Sequence, residues 1–225
     1  MQYDAWVEVY RRWSRVNALT IAITTAAALS IRLPALIGAV GALSFVWFIC
    51  RARAYWTPQG NFGLANAIST LRLALTTLLF AAGLAMPVTA LVLVVLAIVT
   101  LDGVDGWVAR RSGSESDFGA RYDTAVDALY TLALSVLLLE RGVIGGWILI
   151  AGLWHYAFVL WEWVFPSQRA AKRSFFAACV FVALVFSMGA AFLLPRAWGT
   201  PLVALAVALQ SASFARSFWQ HYGPA

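Results

Sequence analysis

The sequence predicts an all-α integral membrane protein with about eight spans, arranged as an N-terminal hairpin followed by six further helices. Its 225 residues are 62% hydrophobic and only 12% charged, whereas a soluble domain is typically about 45–50% apolar and about 25% charged. The net charge of +6 does not indicate a nucleic-acid partner, because the basic residues cluster between apolar runs and form no single polar face.

Eight apolar runs are candidate spans, since a helix of roughly 20 apolar residues crosses about 30 Å of hydrocarbon. The first run is short and rich in Thr and Ala, so a half-inserted helix is an alternative for it. A basic stretch containing Pro and Gly, residues 51–63, predicts a boundary between a transmembrane hairpin, 17–50, and a six-helix membrane core, 64–219. The eight runs are 17–31, 34–50, 64–84, 87–109, 120–140, 143–164, 174–194 and 199–219.

Residues 1–16 precede the first span and place Trp6, Val9, Tyr10 and Trp13 at helical spacing. This pattern predicts an amphipathic helix along the inner interface, with its aromatic rings at the level of the headgroups. The alternative is that these residues are simply the wet end of the first spanning helix.

The distribution of Lys and Arg supports eight spans with both termini on the cytoplasmic side, because cytoplasmic loops collect basic residues. With the N-terminus inside, eleven basic residues lie at inner helix ends and three at outer turns. We therefore predict a multi-pass protein of the inner cell membrane. The inner set is Arg11, Arg12, Arg15, Arg51, Arg53, Arg110, Arg111, Arg169, Lys172, Arg173 and Arg216, and the outer set is Arg32, Arg141 and Arg196.

Six of the ten acidic residues lie between positions 102 and 127. Asp102 and Asp105 are three positions apart near the end of the fourth span, and Asp123 and Asp127 are four positions apart near the start of the fifth. Residues three or four apart share one helix face. On consecutive antiparallel helices joined by a short linker, the two pairs are therefore able to face each other.

Four carboxylates at short range repel one another, so they take up protons or require a cation. Magnesium typically binds through a few carboxylates together with substrate phosphates. The pattern thus predicts one or two magnesium-like ions shared with a phosphate-bearing substrate. Gly103, Gly106 and Gly119 leave room for a ligand beside them. Ala109, one turn further along, adds only a small side chain to the same helix face. Arg110 is placed to contact a phosphate or the edge of a nucleobase.

A purely structural alternative pairs the carboxylates with Arg110, Arg111 and Arg121 in a wet interfacial loop. It suits Glu115 and Asp117, which we interpret as solvated. It does not account for the helical phasing of the other four acidic residues, since a charged loop requires no such phasing.

This window resembles the CDP-alcohol phosphatidyltransferase family, whose motif is D-x2-D-G-x2-A-R-x8-G-x3-D-x3-D. About six helices surround the motif over residues 64–219, which corresponds to the family's usual membrane core. The hairpin 17–50 is then an addition that could cover the lipid entrance or extend a dimer contact, and we expect a homodimer. Every fixed position and spacing is matched, by Asp102, Asp105, Gly106, Ala109, Arg110, Gly119, Asp123 and Asp127.

The resemblance implies a reaction in which a CDP-linked lipid, CDP-diacylglycerol, binds through its pyrophosphate to two metal ions, magnesium or manganese. An acceptor hydroxyl attacks the β-phosphorus, CMP leaves, and the lipid phosphate joins the acceptor. The implied metal ligands are Asp102, Asp105 and Asp123, and the implied general base is Asp127, which also touches a metal. The positions implied to shape the cytidine and phosphate site are Gly106, Ala109, Arg110 and Gly119.

A second likeness lies at the start of the third span, where "ANAISTLRLAL" resembles the family's first core helix, often Asn-x-x-Ser/Thr-x-x-Arg. Asn66, Ser69 and Arg72 occupy these positions. The likeness implies that Asn66 and Ser69 approach the CDP moiety. The alternative is a helix start capped by Asn and Ser, with Arg72 snorkelling towards the interface.

The acceptor alcohol is less well indicated. Arg169, Lys172 and Arg173 could hold an acceptor's phosphate, and Glu162 could line an acceptor pocket near the end of the sixth span. The match to phosphate-acceptor subgroups is poor, because their usual Gly-Lys pair here reads Ala171-Lys172, and a loop that holds anionic headgroups is the alternative. We favour glycerol-3-phosphate, as in a phosphatidylglycerophosphate synthase, as the commonest bacterial case. Inositol phosphate, serine, choline and phosphatidylglycerol remain alternatives.

An enzyme of phospholipid biosynthesis is therefore the predicted function, with a CDP-lipid, an alcohol acceptor and membrane lipids as partners and no nucleic acid. A cation-binding membrane transporter is the main alternative, but it favours acidic residues at the bilayer midplane and broken helices. The four aspartates instead lie at helix ends beside a polar loop. An inactive relative that serves as a membrane partner is a third possibility, against which the complete motif argues.

Overall fold

The structure, a computed structural model, describes residues 2–166 and 175–222. Over these residues the chain forms eight α-helices and no strand, which confirms the predicted all-α class. The helices lie where the apolar runs predicted spans. They are α1 (Gln2–Ser30), α2 (Ala35–Arg51), α3 (Leu64–Ala82), α4 (Val88–Ser112), α5 (Asp117–Glu140), α6 (Leu149–Val164), α7 (Phe175–Ala191) and α8 (Arg196–Tyr222).

Proline and glycine set several of the helix ends. Pro34 and Pro87 stand immediately before α2 and α4, where the missing N–H of proline costs no helical hydrogen bond. Gly113 ends α4 with a left-handed φ of +60°, and its N–H donates to the carbonyl of Ala109. This glycine stop lets the chain reverse within a few residues, so that α5 starts beside the end of α4.

Five helices among the described residues are long and apolar enough to cross a membrane, which supports a multi-pass membrane protein. The helices α2 and α7 are apolar but shorter, and α1 is not among the five. The eight-span prediction is thus supported in part, by eight helices of which five have the length and composition of a span. The five segments are Leu64–Ala82, Val88–Ser112, Asp117–Glu140, Gly146–Val164 and Arg196–Trp219.

The N-terminal segment forms part of one long helix. One continuous helix runs from Gln2 to Ser30, so the boundary predicted after residue 16 does not coincide with a helix end. Trp6 and Trp13 are buried, each 3% exposed, and therefore face protein neighbours. Residues 2–30 contain neither Gly nor Pro, and nothing in this stretch breaks the helix.

The chain divides into two compact units, residues 1–130 and 131–225. In the first unit α1 packs on α2, α2 on α3, and α3 on α4. The hairpin α1–α2 is held by the ring of Trp13, stacked on Phe48 at 3.9 Å, and by its indole N–H, which donates to Ser44. Gly38 lets α2 approach α3, since a Cβ there would lie 2.8 Å from the Cβ of Phe80.

In the second unit α8 packs against both α6 and α7. The indole N–H of Trp154 donates to the hydroxyl of Ser211 at 3.0 Å, and the side-chain amide of Gln210 donates to the carbonyl of Ala151. These bonds join α6 to α8, as expected of polar groups that link helices in an apolar setting.

Candidate active site

The end of α4 carries the first pair of aspartates on one helix face. Asp105 is buried, with 6% of its side chain exposed, whereas 29% of the Asp102 side chain is exposed. They are three residues apart, so both carboxylates point to the same side of α4. Gly113 ends the helix two turns later and returns the chain towards this side.

The start of α5 carries the second pair. The hydroxyl of Ser116 accepts a hydrogen bond from the N–H of Gly119 at 3.0 Å, which is the arrangement of a helix N-cap. From this fixed start, Asp123 and Asp127 follow four residues apart, with 31% and 21% of their side chains exposed. We call the four residues Asp102, Asp105, Asp123 and Asp127 the aspartate cluster.

Arg72 of α3 reaches all four members of the aspartate cluster. Its Nη1 lies 2.8 Å from Oδ2 of Asp105 and 2.5 Å from Oδ1 of Asp123. Its Nη2 lies 2.6 Å from Oδ1 of Asp102 and also contacts Asp127. Only 1% of the Arg72 side chain is exposed. The predicted convergence of the two aspartate pairs is therefore present, and a third helix supplies a buried cation between them.

The charge of this cluster favours further cations. One guanidinium compensates one of the four carboxylates, which leaves three formal negative charges in a partly buried site, and such repulsion demands protons or a cation. A carboxylate oxygen from each of Asp102, Asp123 and Asp127 lies within 4.8 Å of the other two. Oxygen donors at this spacing suit a hard divalent cation, so the residues present fit a metal site.

Ser69 supports the cluster from one turn before Arg72. Its hydroxyl donates to Oδ2 of Asp105 at 3.0 Å, and both groups are buried. Asp105 therefore receives bonds from two residues of α3, Ser69 and Arg72, which fixes its carboxylate. The predicted role of Ser69 at the CDP moiety stays a prediction, and in the structure its partner is an aspartate.

Asn66 lies one turn earlier on α3, and its side-chain NH2 group is bonded to the backbone. Its amide donates to the carbonyl of Phe62 at 2.6 Å and to that of Trp56 at 3.3 Å. A Cβ on Gly119 would lie 3.0 Å from Oδ1 of Asn66. Glycine at position 119 thus allows the start of α5 to approach α3, and contact of Asn66 with a nucleotide remains a prediction.

The other motif positions lie on the last turns of α4. Arg110 is exposed and folds back over Gly106, where an added Cβ would lie 3.2 Å from Nη1 of Arg110. Ala109 is half-buried next to it. Gly103, in contrast, has open space around its position, as expected if a ligand is to approach α4 there. The guanidinium of Arg110 is accessible to an anionic ligand.

The residues predicted to bind the acceptor lie elsewhere in the chain. Glu162 is exposed near the end of α6. The positions of Arg169, Lys172 and Arg173 lie outside the described residues. Their roles accordingly stay predictions.

Sequence reasoning left out one central residue. The family likeness places Arg72 on the helix that approaches the CDP moiety, and the alternative makes it a snorkelling side chain, whereas it is buried among the aspartates. A signal was present, because Ser69 and Arg72 share one face of an apolar helix and an ionisable residue in such a helix is a functional candidate. Its partners, from Asp102 to Asp127, lie 30 to 55 positions away along the chain, which local patterning does not reveal.

Comparison with known proteins gives one match to a family model. The model described as CDP-alcohol phosphatidyltransferase matches residues 62–212. No solved structure matches the chain. The matched range includes α3 to α7 and most of α8, and with them Arg72 and the whole aspartate cluster, while nearly all of the segment before α3 lies outside it.

Proposed function

This chain belongs to the CDP-alcohol phosphatidyltransferase family, whose members are transferases that move a substituted phosphate group, and from that premise we propose its reaction. The protein transfers a phosphatidyl group from CDP-diacylglycerol to an alcohol and releases CMP. The observation that carries the proposal is the aspartate cluster, drawn from α4 and α5 and gathered around Arg72 of α3. A cluster of this charge is suited to hold a pyrophosphate through divalent cations.

The transfer forms one phosphorus–oxygen bond and breaks another. The acceptor's hydroxyl oxygen attacks the β-phosphorus, and the bond from that phosphorus to the bridging oxygen breaks, so that CMP leaves with the electron pair. Asp127 takes the proton of the attacking hydroxyl. This role is consistent with its partly exposed carboxylate, since a general base must come within hydrogen-bond distance of the hydroxyl.

All four aspartates would take part in holding the metal ions. The carboxylate oxygens of Asp102, Asp123 and Asp127 already lie within 4.8 Å of one another, and Asp105 would add a ligand from the buried side. Two magnesium or manganese ions bound there would polarise the phosphoryl group and stabilise the leaving oxygen. Ser69 and Arg72 orient Asp105 through their bonds to its Oδ2. Arg72 also keeps the remaining carboxylates close together against their mutual repulsion.

The nucleotide would lie over the last turns of α4 and the first turn of α5. Gly106, Ala109 and Gly119 present little side-chain bulk there, so a flat base or a phosphate can come close to the backbone. Arg110 lies exposed beside Gly106 and would pair with a phosphate oxygen. Asn66 and Ser69 would contribute from α3, mainly by fixing the groups around them.

We propose glycerol-3-phosphate as the acceptor, as in a phosphatidylglycerophosphate synthase. The basic residues Arg169, Lys172 and Arg173 would bind its phosphate, and Glu162 would line the pocket. The support is the run of positive charge after α6, which suits a phosphate-bearing alcohol. Inositol phosphate would use the same charges, whereas serine, choline or phosphatidylglycerol would not need all of them.

One incubation tests both the reaction and the acceptor. The purified protein is mixed with CDP-diacylglycerol, magnesium and each acceptor in turn, and CMP and the lipid product are identified by mass spectrometry. We expect CMP and phosphatidylglycerophosphate with glycerol-3-phosphate, and loss of both products with EDTA. Absence of CMP release with every acceptor would reject the proposed reaction, and a different lipid product would reject the proposed acceptor alone.

We further propose that the protein is a homodimer of the bacterial inner membrane, with the aspartate cluster on the cytoplasmic side. The charge asymmetry of the loops supports the cytoplasmic placement, and the homodimer is carried over from the family resemblance. Cys50 and Cys179 are both exposed, so a variant lacking them provides the background for single cysteines at Ser114 and Gly145. An impermeant thiol reagent applied to intact cells should label position 145 and spare position 114.

The dimer is tested by the mass of the protein in detergent.

A further inference from the structure

We infer that the segment before the family match, residues 1–61, positions the start of α5 and thereby sets the places of Asp123 and Asp127. Only the expected effects on kcat rest on the proposed function; the expected effects on metal binding and on hydrogen–deuterium exchange do not. Three independent contacts connect this segment to the first turns of α5, and all of them lie within the unit formed by residues 1–130.

The first contact is a hydrogen bond from Ser116 to the linker that follows α2. The hydroxyl of Ser116 donates to the carbonyl of Trp56 at 2.6 Å while it accepts from the N–H of Gly119. The same carbonyl also accepts from Asn66 of α3. The carbonyl of Trp56, which lies outside the family match, therefore links the N-cap of α5, Ser116, to α3, the helix that carries Arg72.

The second contact is a set of packed rings around the first turns of α5. Phe118 is fully buried, with its ring 5.3 Å from that of Phe48 and 6.0 Å from that of Trp6. Tyr122, also fully buried, has its ring 5.9 Å from that of Phe45. Rings at these separations pack favourably, so two helices of the hairpin hold one face of α5.

The third contact continues along the same helices. The guanidinium of Arg121 lies 4.2 Å from the centre of the Tyr10 ring, within the range of a cation–π interaction. Farther along α5, a Cβ on Gly41 would lie 3.2 Å from a methyl group of Leu129. Phe118, Tyr122 and Leu129 thus mark the face of α5 that rests on the hairpin.

The carboxylates of α5 lie on the far side of the helix from this face, since Asp123 and Asp127 are rotated from its centre by about 120° and about 160°. Asp123 follows Tyr122 directly, and one residue is a rotation of about 100° in an α-helix. Any rotation or tilt of α5 on the hairpin therefore moves Asp123 and Asp127 relative to the pair on α4. A misplacement of about 1 Å in a catalytic site costs on the order of 100-fold in rate, so the hairpin controls turnover without touching substrate.

Variants of Ser116 separate the bond to Trp56 from the helix cap. Ser116→Ala removes both, and Ser116→Thr restores both. Ser116→Asp combined with Glu115→Gln keeps the cap acceptor and the net charge but loses the donor. We expect kcat to fall about tenfold or more in the Ala and Asp variants, with the KM for CDP-diacylglycerol within about twofold of wild type and with recovery in the Thr variant. The matched control is Ser30→Ala at the exposed end of α1.

A substitution in the hairpin tests the ring contacts. Among the described residues the indole N–H of Trp6 has no hydrogen-bond partner, so Trp6→Leu removes packing of the ring without breaking a hydrogen bond. We expect it to lower kcat as Ser116→Ala does, and to weaken Mn²⁺ binding, measured by electron paramagnetic resonance, about fivefold or more. Trp198→Leu is the matched control, because Trp198 is 72% exposed on α8.

Hydrogen–deuterium exchange of residues 117–130 tests the inference without any enzymatic reaction. We expect faster exchange there in Ser116→Ala and Trp6→Leu, and wild-type exchange in both controls. Unchanged exchange in α5 would overturn the inference even in an active enzyme. Faster exchange with wild-type kcat and Mn²⁺ binding would also overturn it, because the hairpin would then only add stability. If the wild type releases no CMP, the proposed function fails, while the exchange and Mn²⁺ results still decide this inference.

Discussion

Nη1 of Arg72 lies 2.8 Å from Oδ2 of Asp105, and both side chains are buried. These two residues come from different helices, α3 and α4, and their contact is the most enclosed part of the aspartate cluster. The guanidinium also reaches the two aspartates of α5. A single side chain thus joins three helices and brings four carboxylates to one point.

Arg72→Gln should lower stability markedly, because it leaves the four carboxylates without their buried cation. Removing one partner of a buried ion pair costs about 3–5 kcal/mol. Arg72→Lys should be intermediate, since one ammonium cannot replace the planar fork that reaches several carboxylates. The measurement is thermal unfolding in detergent, without and with Mn²⁺. Added Mn²⁺ should raise the Tm of Arg72→Gln, because an ion that binds only the folded state stabilises it.

Arg53→Gln is the control for this prediction, because Arg53 is exposed on the linker after α2. Its Tm should stay at the wild-type value. A Tm of Arg72→Gln equal to that of wild type would show that the guanidinium does not hold the cluster together.

Asp127→Asn should abolish most turnover while the protein stays folded. Asparagine keeps the shape of the side chain but cannot take a proton, and a general base typically contributes about 10²–10⁴-fold. The measurement is the rate of CMP release at saturating CDP-diacylglycerol. Asp117→Asn, an exposed carboxylate at the start of the same helix, should turn over normally. Turnover of Asp127→Asn near the wild-type rate would remove Asp127 as the base.

Local periodicity predicted the aspartate cluster well. The spacings of Asp102 to Asp105 and of Asp123 to Asp127 fix their helix faces, and the short polar linker fixes the reversal between the helices. The helix faces and the reversal both depend on residues close together in the sequence, so they can be predicted without tertiary information. The contact of Arg72 with the same carboxylates depends on how α3 is rotated against α4 and α5, and single-helix patterns do not contain that rotation.

The N-terminal segment shows a case in which local patterning left two alternatives open, an interfacial helix and the end of the first spanning helix. The amphipathic spacing of Trp6 and Trp13 indicated an interfacial helix, but the absence of Gly and Pro over residues 2–30 indicated one uninterrupted helix. Aromatic residues at helical spacing suit a headgroup interface and a protein contact equally well. Both indoles are buried. The ring of Trp6 packs against that of Phe118 in α5, and these two residues are more than a hundred positions apart in the sequence.

Gly119→Ala should destabilise the protein, since its methyl group would lie 3.0 Å from Oδ1 of Asn66 and 3.3 Å from the hydroxyl of Ser116. Overpacking of this kind typically costs about 1–3 kcal/mol. Gly103→Ala is the control, because nothing lies within 4 Å of its added methyl group. It should instead gain about 0.5–1 kcal/mol from helix propensity. The measurement is the Tm of each variant, and equal shifts in the two would contradict the close approach of α5 to α3.

Shortening Asn66 should relieve part of this clash. We expect the double variant Asn66→Ala, Gly119→Ala to be less destabilised than the sum of the two single variants, because residues in contact are not additive. Strict additivity would mean that the two positions do not touch.

Gly38→Ala should separate the hairpin from the rest of its unit. The added methyl group would lie 2.8 Å from the Cβ of Phe80 and 3.3 Å from the carbonyl oxygen of Thr77. The Thr77 oxygen is part of the α3 main chain, and the Cβ of Phe80 is bonded directly to it. Because neither atom can rotate away, α2 must move away from α3 as a whole. Ala39→Val, which adds bulk on the exposed face of the same helix, should leave the Tm unchanged. We expect Gly38→Ala to lower the Tm and to speed hydrogen–deuterium exchange in α2. Wild-type exchange in α2 together with a wild-type Tm would show that this close contact does not hold the hairpin in place.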